Sequence, residues 1–495
     1  STVVDDGMSF NAIHAITDGL TAVNEKGKTA PAIAKSWDVS DDGKTYTFHL
    51  RDAKWTNGDK VTANDFVYSW RKIIKDAGNY AYMLGSGGAS VKNADALMEL
   101  GANATDEQMA TLGVTAKDDQ TLVVELENKV PYFTDLMAFP CYFPQNEKFV
   151  EKCGKNYGTK PEYTLSNGAY TMTKWIKGNK ATFTKNDKYY DAKAVKTKNL
   201  EMFLVQDPKT AAQNFDNGKV DYATINSTLV DKYKGKDTFT TFNEGYLFYL
   251  QVNFKNNTVA NKNVREALAY AINRKDLCEN VLKDGSMAAT GFVPSQLSKS
   301  PAGKDFRDDA DKYVSYDQKK AQEYLDAAKK ELGTDTITID LLYGTDESPM
   351  DTMAEYLQGS FSKLKGLKVN MVATVKKDRI YNREANGNFQ VVCTRWGPDY
   401  ADPTTYLNLA LTDNSNNYGK YANAKFDALM EQIQKESDLT KRWDLMIQAE
   451  KVMMEDMAYI PVFEKGSAAL KAKNVKGLVV VPVGTPYTFK YVKLK

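Results

Sequence analysis

Polar and apolar residues alternate along residues 44–50, KTYTFHL, as they do in a half-buried strand. Asp41-Asp42-Gly43 before this segment and Asn57-Gly58-Asp59 after it are turn signals. Thr62-Ala63-Asn64-Asp65 then opens a helix over FVYSWRKII, with Thr62 as N-cap and Asp65 in the N3 place of a capping box. TLVVELE at 121–127 reads as a strand that Val130-Pro131 breaks. LEMFLV at 200–205 is another, followed by a helix from Pro208 to Asn217 that Gly218 stops. YLFYLQVNF at 246–254 predicts a long aromatic strand. Over 263–282, Val264, Leu268, Ala271 and Ile272 fall near one face at helical spacing, which predicts a single amphipathic helix. ITIDLLY (337–343) and LKVNMVAT (367–374) flank the helical stretch 350–364, and a strand–helix–strand unit implies a parallel pair. Two late helices, KFDALMEQIQKES and KRWDLMIQAEKVMMEDM, precede strand-like YIPVFE and LVVVPV. There is no internal repeat and no low-complexity linker. The alternation predicts an α/β chain.

Length adds that 495 residues suit roughly three structural units at about 150 residues each. A net charge of +1 supplies no global field for nucleic acid or an anionic membrane. No run of about 18 apolar residues is present to span a bilayer. The chain starts at Ser1 without a signal peptide, so a processed or trimmed chain is expected, with any secretion or lipid-anchor signal upstream. Cys141, Cys153, Cys278 and Cys393 contain no C-x-x-C pair, which speaks against a four-cysteine zinc site. Cys141 and Cys153 are close enough in sequence for a disulfide in an oxidising compartment, and free buried thiols are the alternative.

Catalytic patterns are missing. Of the two histidines, His14 and His49, the latter sits in the alternating strand and reads as a partly exposed strand residue. There is no H-E-x-x-H helix, no G-x-S-x-G elbow and no G-x-G-x-x-G after a strand. The Gly-rich run from Gly85 to Ser90 lacks the Lys-Ser/Thr that holds phosphates, and reads as a loop. Acidic pairs such as Asp41-Asp42 and Asp308-Asp309 lie in polar, turn-like settings. The expectation is a binding protein with no catalytic residues, no metal and no cofactor. A hydrolase with dispersed carboxylates is the competing class.

Residues 30–70, APAIAKSWDVSDDGKTYTFHLRDAKWTNGDKVTANDFVYSW, closely resemble the signature of the bacterial extracellular solute-binding proteins of family 5. These include the oligopeptide and dipeptide receptors of ABC importers. Val130-Pro131-Tyr132-Phe133, Ser166–Tyr170, Asn217–Asp221, Val264–Leu268 with Ala271–Arg274, and Trp396-Gly397-Pro398-Asp399-Tyr400-Ala401-Asp402-Pro403 look like further landmarks, in order across nearly the whole chain. The oligopeptide branch is the nearest likeness. The resemblance implies a two-lobed, periplasmic-binding-protein-like α/β fold of type II, with a hinge between the lobes and an extra subdomain in the first. Its core would be residues 1–17, 147–245 and 466–495, the extra subdomain 18–146, and the second lobe 246–465. The resemblance implies a chain that begins after the family's usual first strand.

The implied function is capture of short peptides for the transmembrane subunits of an ABC permease. The implied molecule is a monomer on the cell surface or in the periplasm, tethered through an upstream lipid anchor. To bind many peptides, such a receptor grips what all peptides share. The ligand is expected to add as a strand against backbone near Asp5-Asp6-Gly7 and Arg395-Trp396-Gly397. Its ammonium needs a paired charge; Asp399 falls on the position of the family's Asp, and Tyr80 on that of an assisting Tyr. Tyr246, Phe248, Tyr249 and Trp396 are candidate walls of roomy, water-filled side-chain pockets, with core packing as their alternative.

Two departures stand out. Positions where the best-known oligopeptide receptors hold basic residues for the peptide carboxylate carry Pro349 and Cys393, leaving Arg395, Lys377 or Arg379 as substitutes. A disulfide near the site in some relatives is absent, its positions matching Tyr246 and Gly397. A receptor of the same fold for a non-peptide solute or a peptide pheromone is the alternative function.

Overall fold

The alternating segment at 44–50 becomes an inner strand of a four-stranded antiparallel sheet. The structure, a computed structural model, describes residues 7–495. After helix α1 (Gly7–Ile16), strands β1 (Ala34–Val39), β2 (Thr45–Leu50), β3 (Val114–Asp118) and β4 (Thr121–Glu125) form this sheet in the order β1-β2-β4-β3. Tyr46, Phe48 and Leu50 point inward, and the Phe133 ring packs 4.4 Å from that of Tyr46. His49 lies on the other face, 2.7 Å from exposed Asp38.

Helix α2 (Ala63–Lys75) begins where its cap signal lies. The Asp65 carboxylate accepts from the Thr62 backbone N–H at 2.9 Å and from the Trp55 indole at 3.0 Å. Burial pushes the Asp65 carboxyl up to about 6, against both hydrogen bonds, which favour its charged form. A carboxyl raised in the folded state contributes stability that is complete below the unfolded value near pH 4 and is lost as pH rises through 6. The stability of the native protein relative to Asp65→Asn is therefore expected to fall by about 2–3 kcal/mol between pH 4 and pH 7. Urea titrations of both proteins across that range check it; a difference independent of pH would refute the assignment.

A three-stranded antiparallel sheet follows, β5 (Tyr170–Ile176), β6 (Lys180–Lys185) and β7 (Asn199–Phe203). Ala15 and Ile16 of α1 share a core with its Tyr170 and Phe183. Helix α3 (Pro208–Asp216) starts under an Asp207 cap and ends before Gly218, whose φ of 69° glycine adopts without strain.

Contacts divide the chain into one unit made of residues up to Ala223 plus Leu470–Lys495 and a second unit, Thr224–Ala469. The sequence boundaries at 246 and 465 both lie inside the second unit. Its sheet is built from β8 (Tyr222–Ile225), β9 (Phe239–Val252), β10 (Met287–Ala288), β11 (Ile337–Gly344), β12 (Leu367–Thr374), β13 (Val391–Trp396) and β14 (Tyr459–Lys471). The order is β8-β14-β9-β13-β11-β12, with β10 also on β14. β11 and β12 are parallel around an intervening helix, Met350–Phe361, as the strand–helix–strand pattern requires. β13 is parallel to β11 and antiparallel to β9.

The single helix expected over 263–282 is broken. Helix α4 (Lys262–Ala271) stops at Ile272, which is extended, and Asn273 caps a new turn by accepting from the Asp276 N–H at 3.1 Å. Buried Arg274 donates to the carbonyls of Ala269, Ile272 and Pro461. Two of those carbonyls are open to it because the helix ends there. The strand expected at 478–483 shrinks to Val479–Val480, paired with Tyr487–Thr488. Among the described residues no helix is long and apolar enough to cross a membrane.

Candidate functional site

Open α/β sheets bind ligands beyond the C-terminal ends of their parallel strands. In the second unit those ends are Gly344 of β11, Thr374 of β12 and Trp396 of β13. The segments that follow β11 and β12, with the end of β13 itself, bring four charges together. Arg379, after β12, is 2% exposed and donates from Nε and Nη2 to Glu347 Oε2 at 3.0 and 2.7 Å. Its Nη1 reaches Glu384 and, at 2.9 Å, the Thr394 hydroxyl. A Cβ on Gly344 would stand 2.7 Å from Glu347 Oε2, so glycine leaves room for the carboxylate. Burial pushes Glu384 up to about 7 against the pull of Arg379. The fourth charge is Arg395, whose Nε lies 3.4 Å from Glu347 Oε1. That contact is ionic and lacks hydrogen-bond geometry, so Oε1 carries no hydrogen bond.

Register brings the aromatic candidates to the same place. Phe248 of β9 pairs with Arg395 of β13, and Leu247 with Trp396. The Arg395 guanidinium lies 4.8 Å from the Tyr246 ring centroid and 6.0 Å from that of Phe248. Tyr246, Trp396 and Gly397 are half-buried. A Cβ on Gly397 would collide with the Tyr246 ring, so backbone and ring touch directly. Phe248 and Tyr249, in contrast, belong to the core. Phe248 is 2% exposed and stacks on Phe463; Tyr249 is 4% exposed against Phe292 and Tyr459. They support the site from beneath and do not line a pocket, because β9 and β13 are inner strands covered by the rings around them.

Asp399 follows β13 and is half-buried. Its backbone N–H donates to the Thr405 hydroxyl at 3.1 Å. Thr405 lies in a short helix, Thr404–Leu407, held by a buried ion pair. Arg442 donates from Nη1 and Nη2 to Asp402 at 2.7 and 3.0 Å, and Asp402 also accepts from the Thr404 N–H and hydroxyl. Burial pushes the Asp402 carboxyl up, yet Arg442 and Thr404 together hold it below the ordinary range. The Tyr406 hydroxyl ties the same helix to the Gly245 carbonyl on β9.

Of the other candidates, Asp6 lies outside the described residues, with Asp5. Gly7 is the first residue of α1, which is helical and so presents no extended strand edge there. Tyr80 belongs to the first unit, packed 5.2 Å from Phe10 and 5.4 Å from Phe139. Arg379 is committed to two buried carboxylates, which removes it as a substitute carboxylate grip; Lys377 is exposed. Sequence reading missed Glu347, Glu384, Thr405 and Arg442. The Asp402-Pro403-Thr404 cap was open to notice, but nothing local announces partners as distant as Arg442.

Residues 28–418 match the family described as bacterial extracellular solute-binding proteins, family 5 Middle. A dipeptide-binding protein of Lactococcus lactis subsp. cremoris (strain MG1363) is 34% identical, over 100% of this chain and 92% of that protein. A solved Listeria monocytogenes OppA bound to peptide superposes with a TM-score of 0.84 at 34% identity, covering 100% of this chain and 96% of that one. The pheromone receptor PrgZ, solved with its mode of peptide binding, gives 0.86 at 31% over 100% and 96%. The fold is thus the periplasmic-binding-protein-like α/β fold that the motifs implied. With the match running through the Ala30–Trp70 signature and the Trp396–Pro403 segment alike, this chain belongs to the bacterial extracellular solute-binding proteins of family 5.

Proposed function

We propose that this chain captures short peptides outside the cytoplasmic membrane and hands them to the permease of an ABC importer, acting by binding alone. The observation that carries this is the C-terminal end of β13. The pairing of β13 with β11 covers only Val391 and Val392, so on that side Arg395-Trp396-Gly397 offer backbone for an added strand, and Asp399 a carboxylate for the peptide ammonium. Backbone pairing and a terminal charge are common to all peptides, so such a site tolerates varied side chains. Relatives named for dipeptide and oligopeptide binding support the reading.

Native mass spectrometry of the protein as purified from cells tests it. A ladder of adducts with the masses of intact short peptides is expected. A single non-peptide adduct would shift the assignment to another solute, and cleavage of added peptides would end the claim of binding without chemistry.

A further inference from the structure

We propose that Thr405 is a positioning residue for Asp399: its hydroxyl fixes the backbone that carries the carboxylate before a ligand arrives. This rests on the peptide-receptor reading above. Asp399 follows Pro398, whose ring restricts the backbone just ahead of it. The chain then turns back, and six residues later the Thr405 hydroxyl accepts the Asp399 N–H at 3.1 Å. That bond joins the two ends of the turn. A carboxylate on an untied segment has to be ordered at each binding event, and ordering costs free energy. A turn closed beforehand removes that cost.

The far end of the turn is anchored independently of Asp399. The Asp402 N–H donates to the Tyr400 carbonyl at 3.0 Å, and the Thr405 N–H to the Asp402 carbonyl at 3.1 Å. Buried Asp402 takes both terminal nitrogens of Arg442, from the helix Leu439–Glu455, and the Thr404 hydroxyl at 2.6 Å. On the other side of Thr405, the Tyr406 hydroxyl donates to the carbonyl of Gly245, the neighbour of Tyr246. Thr405 is thus held from both flanks and is itself 4% exposed. Its hydroxyl transmits that fixed position to Asp399. A purely structural hydroxyl would stabilise the fold and serve every ligand alike; a positioning one serves the ligands that use the Asp399 charge.

The test compares a tetrapeptide carrying a free amine with its N-acetylated form, in competition against a labelled peptide so that weak ligands are also read. Thr405→Val keeps the size of threonine and removes the acceptor, Thr405→Ala removes it with less bulk, and Thr405→Ser retains it. Loss of the acceptor is expected to weaken the free-amine peptide by about threefold to tenfold, while the acetylated form hardly moves. Thr405→Ser should restore the native ratio of the two affinities. In an Asp399→Asn background the same substitutions should add no further loss, because the charge they position is gone. Equal losses for both peptides, a ratio that serine does not restore, or an undiminished effect in Asp399→Asn would each overturn the positioning role. A native ratio of about one would instead overturn the ammonium assignment of Asp399, and this inference with it.

Discussion

Asp399→Asn is expected to weaken the binding of peptides with a free amine by on the order of 2–5 kcal/mol. At about 1.4 kcal/mol per tenfold, that is a loss of roughly thirtyfold to a few thousandfold. A terminal ammonium leaving water gives up its hydration, and only an opposite charge close by offsets the cost. Asparagine keeps the shape and the backbone bond to Thr405 while removing the charge. N-acetylated peptides provide the complementary arm: they should bind the native protein poorly and lose little further affinity on substitution. Calorimetric titration of matched free and acetylated peptides measures both. If acetylation changes nothing in the native protein, Asp399 has no ammonium to meet.

The second large effect concerns folding. Arg379→Met leaves Glu347 and Glu384, both buried, without the cation they share. Removing one partner of such a group costs about 3–5 kcal/mol, because the remaining charge stays buried and uncompensated. The expected result is a marked drop in the denaturation midpoint of Arg379→Met. Adding Glu347→Gln and Glu384→Gln should recover part of it, since neutral amides need no counter-charge. A triple variant no more stable than Arg379→Met would mean that lost packing, and not lost charge, sets the cost.

What could be seen in the sequence was local or periodic. The strand at 44–50, the capped helix after Thr62 and the parallel pair around 350–361 all rest on patterns within a few residues. The break at Ile272 was hidden because apolar spacing continues through it, and the buried Arg274 that takes up the carbonyls it frees is also bound to Pro461 far along the chain. The site divides in the same way. Arg395 through Asp399 could be picked out as a motif, but Phe248 and Tyr249 could not be separated from Tyr246 by residue type. Register and the rings above them decide that. The charges behind Arg395 come from two separate segments, Glu347 from one and Arg379 with Glu384 from the other, and only tertiary structure joins them to it.

The contact between Gly397 and Tyr246 bears on redox sensitivity. An aromatic ring is set there against bare backbone. No disulfide joins any of the four cysteines. The contact is therefore one of packing, with the Arg395 guanidinium over the same ring, which no reductant can open and no oxidant is needed to close. In the receptor proposed above, this part of the binding edge would be the same in aerobic and anaerobic surroundings.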